Sequence, residues 1–545
     1  MRPNQGSILW LLALLASLPT LLIAYLGQFS RLMGDDWCFF NSALHLGGRD
    51  YFSFWLNNWH SSLTYIAIHD ILAPLGPEYM PPIFPAIIFG LWLLGLAWLF
   101  FLVLRGLQLD ANRLPVALIL AFLSLAAFVI GVYDWEPLYW YSASIRHSLP
   151  VGIFLLVLAL FWEAASRQCS GRRLAVLAAA GAAACFVNAG LSQLQTILQL
   201  ICLTLMLLAI RAFIDSPRRR PCLTLYSAGW VGNAAGLIVQ LVLPGSATRM
   251  SDMGTGARYD QIRALPELLV ETVETSAAFI GHQGNIAGFT LLFAAGLVAA
   301  LLLVKPIDGE PGRRPAAAKA GAGARYWSAA LLLGAFASLA LTQVAGLHFL
   351  ASAILYICAL ILLVVLAARL AAATSDFLSR RIFLAALVGS ALAYSSLALS
   401  IAVGHFSIGI IYERTLTFAA LLSVLSGLAW GGCIGFLLRR RYSRTPGEAP
   451  WLRGVIGLGS LALALAYLSI VSMQAGLIPD FATYAREWDA RHQRIVRLRE
   501  GGEQVITVTP YSYHMTQAIS PVDLELVGWS CQPYYYGLEA IAMEP

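Results

Sequence analysis

The sequence predicts an all-α polytopic membrane protein, and three observations carry that prediction: an excess of apolar residues, apolar runs of spanning length, and a basic bias that alternates from one connection to the next. Of 545 residues, 59% are hydrophobic and 12% charged, with a mean hydropathy of +0.72, far from the composition of soluble domains. A hydrocarbon core about 30 Å thick requires roughly 20 apolar residues per helix. By that measure about thirteen candidate spans follow one another, at 8–26, 82–104, 114–132, 149–164, 174–187, 191–210, 223–243, 286–304, 327–341, 349–368, 382–403, 416–438 and 455–473. The fourth, fifth and ninth are short. The first has no small-residue cleavage site behind its apolar core, which predicts a retained signal anchor.

Charge orients the bundle. With a cytoplasmic N-terminus, the inner connections hold 23 of the 35 Lys and Arg residues, including Arg218 to Arg220 and Arg439 to Arg441. The positive-inside rule is then obeyed at every turn. The acidic residues run the other way, and all nine His fall outside. The net charge of +6 therefore reflects a basic inner face and an acidic outer one and carries no signal of nucleic-acid binding. Residues 1–473 read as one transmembrane unit. The remainder, 474–545, reads as a small extracytoplasmic segment, with a charged helical stretch at 484–499 and a strand-like run at 504–509, too small to be catalytic alone.

The inner connections are short or, at 305–326, rich in Gly, Pro and Ala like a flexible linker. The outer ones carry the chemistry. In the first, 27–81, the aromatic run 51–65 suits the membrane interface. In the third, 244–285, Glu267, Glu271 and Glu274 make one acidic stripe opposite an apolar face, the pattern of an interfacial helix. Of eight cysteines only Cys38 and Cys531 lie in outer segments. A disulfide between them would need an oxidising compartment, and two leftover cysteines are weak grounds for one.

Several function classes are excluded by missing motifs. The only lysines are Lys305 and Lys319, neither preceded by Gly, so there is no P-loop; no His-Glu-x-x-His and no Cys-x-x-Cys occurs. What remains is clustered at outer helix ends. Asp35 and Asp36, among Trp37, Phe39 and Phe40, could form a partly desolvated general base, or merely a pair that caps the following helix. Tyr139, Trp140 and Tyr141 could stack on a sugar, with Arg146 and His147 placed before a helix whose positive end begins near Pro150; a plain aromatic belt would look the same. Arg249 follows a Pro-Gly turn and calls for an anionic partner. Glu413 and Arg414 could pair with each other. Asn188, Gln193 and Gln195 could face a polar cavity or simply bond between helices.

Gly34-Asp-Asp-Trp-Cys38, Leu138-Tyr-Trp-Tyr-Ser-Ala-Ser144 with Leu149-Pro150, and Leu243-Pro-Gly-Ser-Ala-Thr-Arg249 resemble motifs of the GT-C superfamily, multi-spanning glycosyltransferases that use polyprenyl-phosphate sugars. They are similar to those of a bacterial branch related to O-antigen glucosyltransferases, as are Val522-Asp-Leu-Glu-Leu526 and Tyr534-Tyr-Tyr-Gly537. The chain departs from those relatives at Gln193 and Gln195, where a Glu is common, and at Ser246, where an Asn is common. The resemblance implies a multi-pass enzyme of the bacterial cytoplasmic membrane with an extracytoplasmic active site, acting on a glycan or glycolipid acceptor in envelope polysaccharide synthesis. It implies Asp35 or Asp36 as catalytic base, and Arg249, Arg146 and Arg414 on the donor phosphate. Trp37, Glu136, Tyr139, Trp140, Tyr141, His147 and Glu413 would contact sugar or acceptor. A divalent metal is compatible with the superfamily, although adjacent aspartates with no further ligand argue against one. The competing readings are a transporter or flippase of lipid-linked glycans and a non-catalytic envelope-assembly protein. The first would call for charges in mid-span and internal repeats, and the sequence has neither.

Overall fold

A computed structural model describes residues 3–59, 61–106, 112–131, 136–214, 216–252, 265–304, 322–342, 347–374, 377–408, 413–442, 450–509, 511–512 and 531–543. Among these residues, twelve helices are long and apolar enough to cross a membrane. The chain thus has the architecture of a multi-pass membrane protein. The ninth expected run is the shortest in the structure: its helix spans Ala322–Leu341, with an apolar part, Tyr326–Leu341, shorter than the other twelve.

The helices are α1 (Pro3–Gly27), α2 (Asp36–Leu46), α3 (Gly48–Asn58), α4 (Leu63–Leu72), α5 (Met80–Gly106), α6 (Arg113–Gly131), α7 (Glu136–Tyr139), α8 (Tyr141–Ala143), α9 (Leu149–Ser166), α10 (Gly171–Ala189), α11 (Gln193–Phe213) and α12 (Ser216–Val242). They continue as α13 (Pro244–Asp252), α14 (Leu265–Gly281), α15 (Gln283–Leu303), α16 (Ala322–Leu341), α17 (Phe349–Thr374), α18 (Phe377–Ile408), α19 (Thr417–Tyr442), α20 (Pro450–Gly476), α21 (Ile478–Glu500) and α22 (Gln532–Tyr536). Two short strands, β1 (Val505–Val508) and β2 (Ala540–Met543), pair in parallel.

Apolar side chains gain little by leaving lipid for another helix, so close packing has to hold such a bundle together. The tightest pair is α15 with α19, and small residues explain it. Gly427, Gly431 and Gly435 recur every four residues along one face of α19. A Cβ at these positions would stand 2.4, 2.0 and 2.7 Å from the carbonyl oxygens of Phe289, Phe293 and Leu297. No side chain fits there, which is why the two backbones can touch. Their helices also carry buried Phe289, Phe293, Trp430 and Leu437 into one core with α16 and α17.

The connections expected to be outer pack on one another and on the ends of the bundle helices. The run 51–65 divides into the end of α3 and the start of α4, and Tyr51, Trp55 and Tyr65 are buried in protein. This corrects the expected interfacial placement of those rings, although Phe54 is exposed. α4 docks on the turn between α10 and α11: Tyr65 N donates to Gly190 O at 3.1 Å and Thr64 Oγ1 to Val187 O at 2.6 Å. α13 lies against α3, with Thr248 Oγ1 donating to Asn57 O at 3.0 Å. In α14, Glu271 and Glu274 are exposed, beside exposed Leu269, Val270 and Val273.

Candidate active site

α1 ends at Gly27, and residues 28–35 turn the chain back into α2 beneath the second connection. The turn depends on Gly34. Its φ is +54°, a region costly for residues with a Cβ, and a Cβ there would stand 2.6 Å from Trp140 Cζ2. Glycine therefore lets the aspartate pair lie flat against the aromatic run.

The two carboxylates separate sharply. Asp36 is fully buried and its oxygens are engaged: Ser142 N (2.9 Å) and the Ser142 hydroxyl donate to Oδ1, and Met33 N (3.1 Å) donates to Oδ2. Burial, and secondarily the charge of Asp35, push its carboxyl up to about 8, against the opposing pull of those hydrogen bonds. Asp35 is half-buried. It occupies the N-cap position of α2, yet its side chain makes no capping bond, so helix capping does not explain it.

Around the pair stand Tyr65, hydrogen-bonded to Ser142, and Arg146, whose guanidinium lies 5.7 Å from the Tyr65 ring centroid. Arg146 is in electrostatic reach of Asp35, Tyr65 and Arg414. Arg414 donates to fully buried Glu136 at 2.5 Å and sits 4.7 Å over the Trp140 ring. That ion pair joins residues 278 apart in sequence. His147 lies in the field of Arg414 and Arg146.

Other expectations need correction. The helix does not begin near Pro150: a wide turn, Ser144–Ser148, joins α8 to α9 without a break, and Arg146 and His147 are inside it. The positive helix end expected to receive a phosphate there is consequently absent. Such π-turns recur at functional sites. Trp37 points away from the pair and packs against Trp488, Tyr535 and Tyr536. Tyr139 is buried, with its hydroxyl donating to Ile23 O at 3.0 Å and its ring against Phe481. All four aromatic candidates, Trp37, Tyr139, Trp140 and Tyr141, are buried. Asn188 bonds between helices, to Gln199 (2.9 Å) and Pro150 O (3.2 Å), and Gln195 is buried. The side chains of Arg249 and Glu413, and the run 522–526, lie outside the described residues.

Four residues escaped the sequence reading: Ser142, Tyr65, His69 and Tyr51. His69 is stacked on Phe39 at 4.3 Å and edge-on to Tyr141 at 5.0 Å, and burial lowers its ring to about 3, so it is neutral at physiological pH. The Tyr51 and Tyr141 hydroxyls and both His69 nitrogens are buried without a hydrogen-bond partner among the described residues. Their signal was the polar spacing Tyr65 to His69, one helical turn on α4, hidden inside an aromatic run that suits a membrane interface equally well.

Fold and site together define a class: a multi-pass helical membrane protein with an acidic pair, one member fully buried and the other, Asp35, in electrostatic reach of Arg146. No family model, curated protein or solved structure matches the chain.

Proposed function

We propose that this protein is a GT-C-type membrane glycosyltransferase that moves a sugar from a polyprenyl-phosphate donor to an extracytoplasmic glycan or glycolipid acceptor. The observation that carries the reading is the division of labour between the aspartates. Asp36 is immobilised by Ser142 and Met33, whereas Asp35 beside it is half-buried and lies in the field of Arg146. In this reading Asp35 is the base and Asp36 a positioning residue.

The acceptor hydroxyl gives its proton to Asp35 and its oxygen attacks the anomeric carbon, inverting it. The carbon–oxygen bond to the polyprenyl phosphate breaks, and the leaving phosphate keeps the electron pair. Arg146 is the cation that stabilises it, supported by Arg414. Trp140, under Arg414, and Tyr141, beside His69, are the aromatic rings of the expected sugar contacts that remain near the pair. Buried hydroxyls and imidazoles are rarely left without partners, and a polyhydroxylated substrate would supply them for Tyr51, Tyr141 and His69. The activated bond is already in the donor, so the reaction requires no nucleotide.

The test is sugar transfer from a labelled polyprenyl-phosphate hexose by the purified protein in lipid. Asp35→Asn is expected to lower the rate by about 10²–10⁴-fold, the usual worth of a general base. A normally folded Asp35→Asn variant with the wild-type rate would remove the catalytic assignment.

A further inference from the structure

The loop that presents the aspartates is gripped from the far end of the chain. Arg31 donates from Nε to Asp489 Oδ1 at 2.7 Å and from Nη2 to Oδ2 at 2.8 Å. Trp488 Nε1 donates to Leu32 O at 3.1 Å. The Trp37 and Trp488 rings are parallel with centroids 5.8 Å apart, and Tyr535 stands 5.0 Å from Trp37 on an edge. Cys38 and Cys531 form a disulfide across 493 residues, with Cα atoms 4.9 Å apart. All four of the gripped residues, Arg31, Leu32, Trp37 and Cys38, lie within four positions of Asp35.

Apart from α21, the gripping elements and those packed with them are small. β1 and β2 have four residues each and α22 has five, too little to form a core of their own. The covalent tie between α2 and the start of α22 removes that freedom, and it closes a loop of nearly the whole chain, where a cross-link restricts the open chain most. The weak grounds for a disulfide in the sequence are therefore corrected by geometry. The six other cysteines are free, and five of them are buried.

We propose that α21, β1, β2 and α22 act as a redox-locked clamp that positions Asp35, with the Cys38–Cys531 bond as its lock. The catalytic part rests on the glycosyltransferase reading above. Locking is a two-electron oxidation. The two thiols form one S–S bond and lose two protons and two electrons, which the disulfide of an extracytoplasmic thiol oxidoreductase takes up as it becomes a dithiol. A dithiol reductant reverses the exchange and frees the clamp.

Three measurements on the full chain in lipid test this. In protein isolated without reductant and blocked with maleimide, mass spectrometry is expected to recover the Cys38 and Cys531 peptides linked; labelling of both thiols would overturn the lock. Hydrogen exchange in residues 30–40 is expected to rise at least about tenfold in Cys531→Ser, with α15 and α19 unchanged; equal exchange in variant and wild type would overturn the clamp. Reducing the folded wild type repeats that comparison without relying on a variant that must fold. In the transfer assay Cys38→Ser, Cys531→Ser and the double variant are each expected to lose about tenfold or more in kcat, in line with small displacements of catalytic groups, with the donor KM kept. A wild type that transfers no sugar would remove the glycosyltransferase reading, while linkage and exchange would still decide the clamp.

Discussion

Asp36 couples the folding of the site to pH. Its carboxyl titrates from 3.8 when free and is pushed up to about 8 in the fold, first by burial and then by Asp35. The folded chain therefore keeps a proton there that the unfolded chain releases above about pH 4. This contribution to stability is complete below the unfolded value, declines as pH rises and is gone above about 8. Thermal unfolding in detergent is expected to show a midpoint that falls between pH 5 and 8, and Asp36→Asn, which carries no titrating proton, is expected to flatten that slope. A wild-type slope of opposite sign would contradict the assignment. Arg414 offers a second test. It is the guanidinium of fully buried Glu136, and removing one partner of a buried pair costs about 3–5 kcal/mol because the other charge stays buried. Arg414→Ala is expected to destabilise by that amount in denaturant unfolding, and Glu136→Gln in the same chain to recover part of it.

Among the elements, two glycine features decide how closely backbones approach. On α19 a Cβ at Gly431 would meet Phe293 O at 2.0 Å. Backbone atoms cannot turn aside as a side chain can, so Gly431→Ala must separate α15 from α19, at about 1–3 kcal/mol. The loss is expected as a lower melting temperature and lower yield of monodisperse protein; an unchanged melting temperature would show that the helices are not in backbone contact. At the α1–α2 turn, Gly34→Ala adds a positive-φ penalty of about 1–2 kcal/mol to a clash with Trp140. In this case sugar transfer should fall as well, because the turn carries Asp35. The glycines of α19 recur every four residues in the sequence but escaped the sequence reading. Which helix they meet is not legible there, since α15 lies more than a hundred residues earlier and nothing in the spacing selects a partner.

For the molecule as a whole, the basic connections and the disulfide make one joint prediction. Arg218 to Arg220 should lie on the cytoplasmic side, and the cysteine pair on the oxidising side. A cysteine introduced at Glu500, an exposed position at the end of α21, is expected to react with an impermeant maleimide in intact cells, and one at Arg211 only after permeabilisation. The reverse pattern would invert the orientation and place the aspartate pair on the wrong side for a lipid-linked donor. The spans were legible because lipid imposes a length and a polarity on every crossing helix, and both are local properties. The site was legible only in outline. Asp35, Asp36 and Arg146 could be named because charge is scarce in the spans and gathers at helix ends, while the surroundings of Trp37 and Tyr139 could not, because an aromatic ring suits a sugar, a membrane interface or a protein core equally well.

By itself the sequence determined that the chain is a helical membrane protein, where its main spans run, and that its titratable chemistry gathers in the connections predicted to be outer. These follow from hydropathy and charge summed over neighbouring residues. Only the tertiary structure decided that Asp36 is fastened by Ser142 while Asp35 is left half-buried, that Arg414 pairs with Glu136, and that Cys38 reaches Cys531. These contacts join residues 106, 278 and 493 positions apart. No local periodicity records such pairings, because they arise from the way the bundle closes and packs its connections on one another.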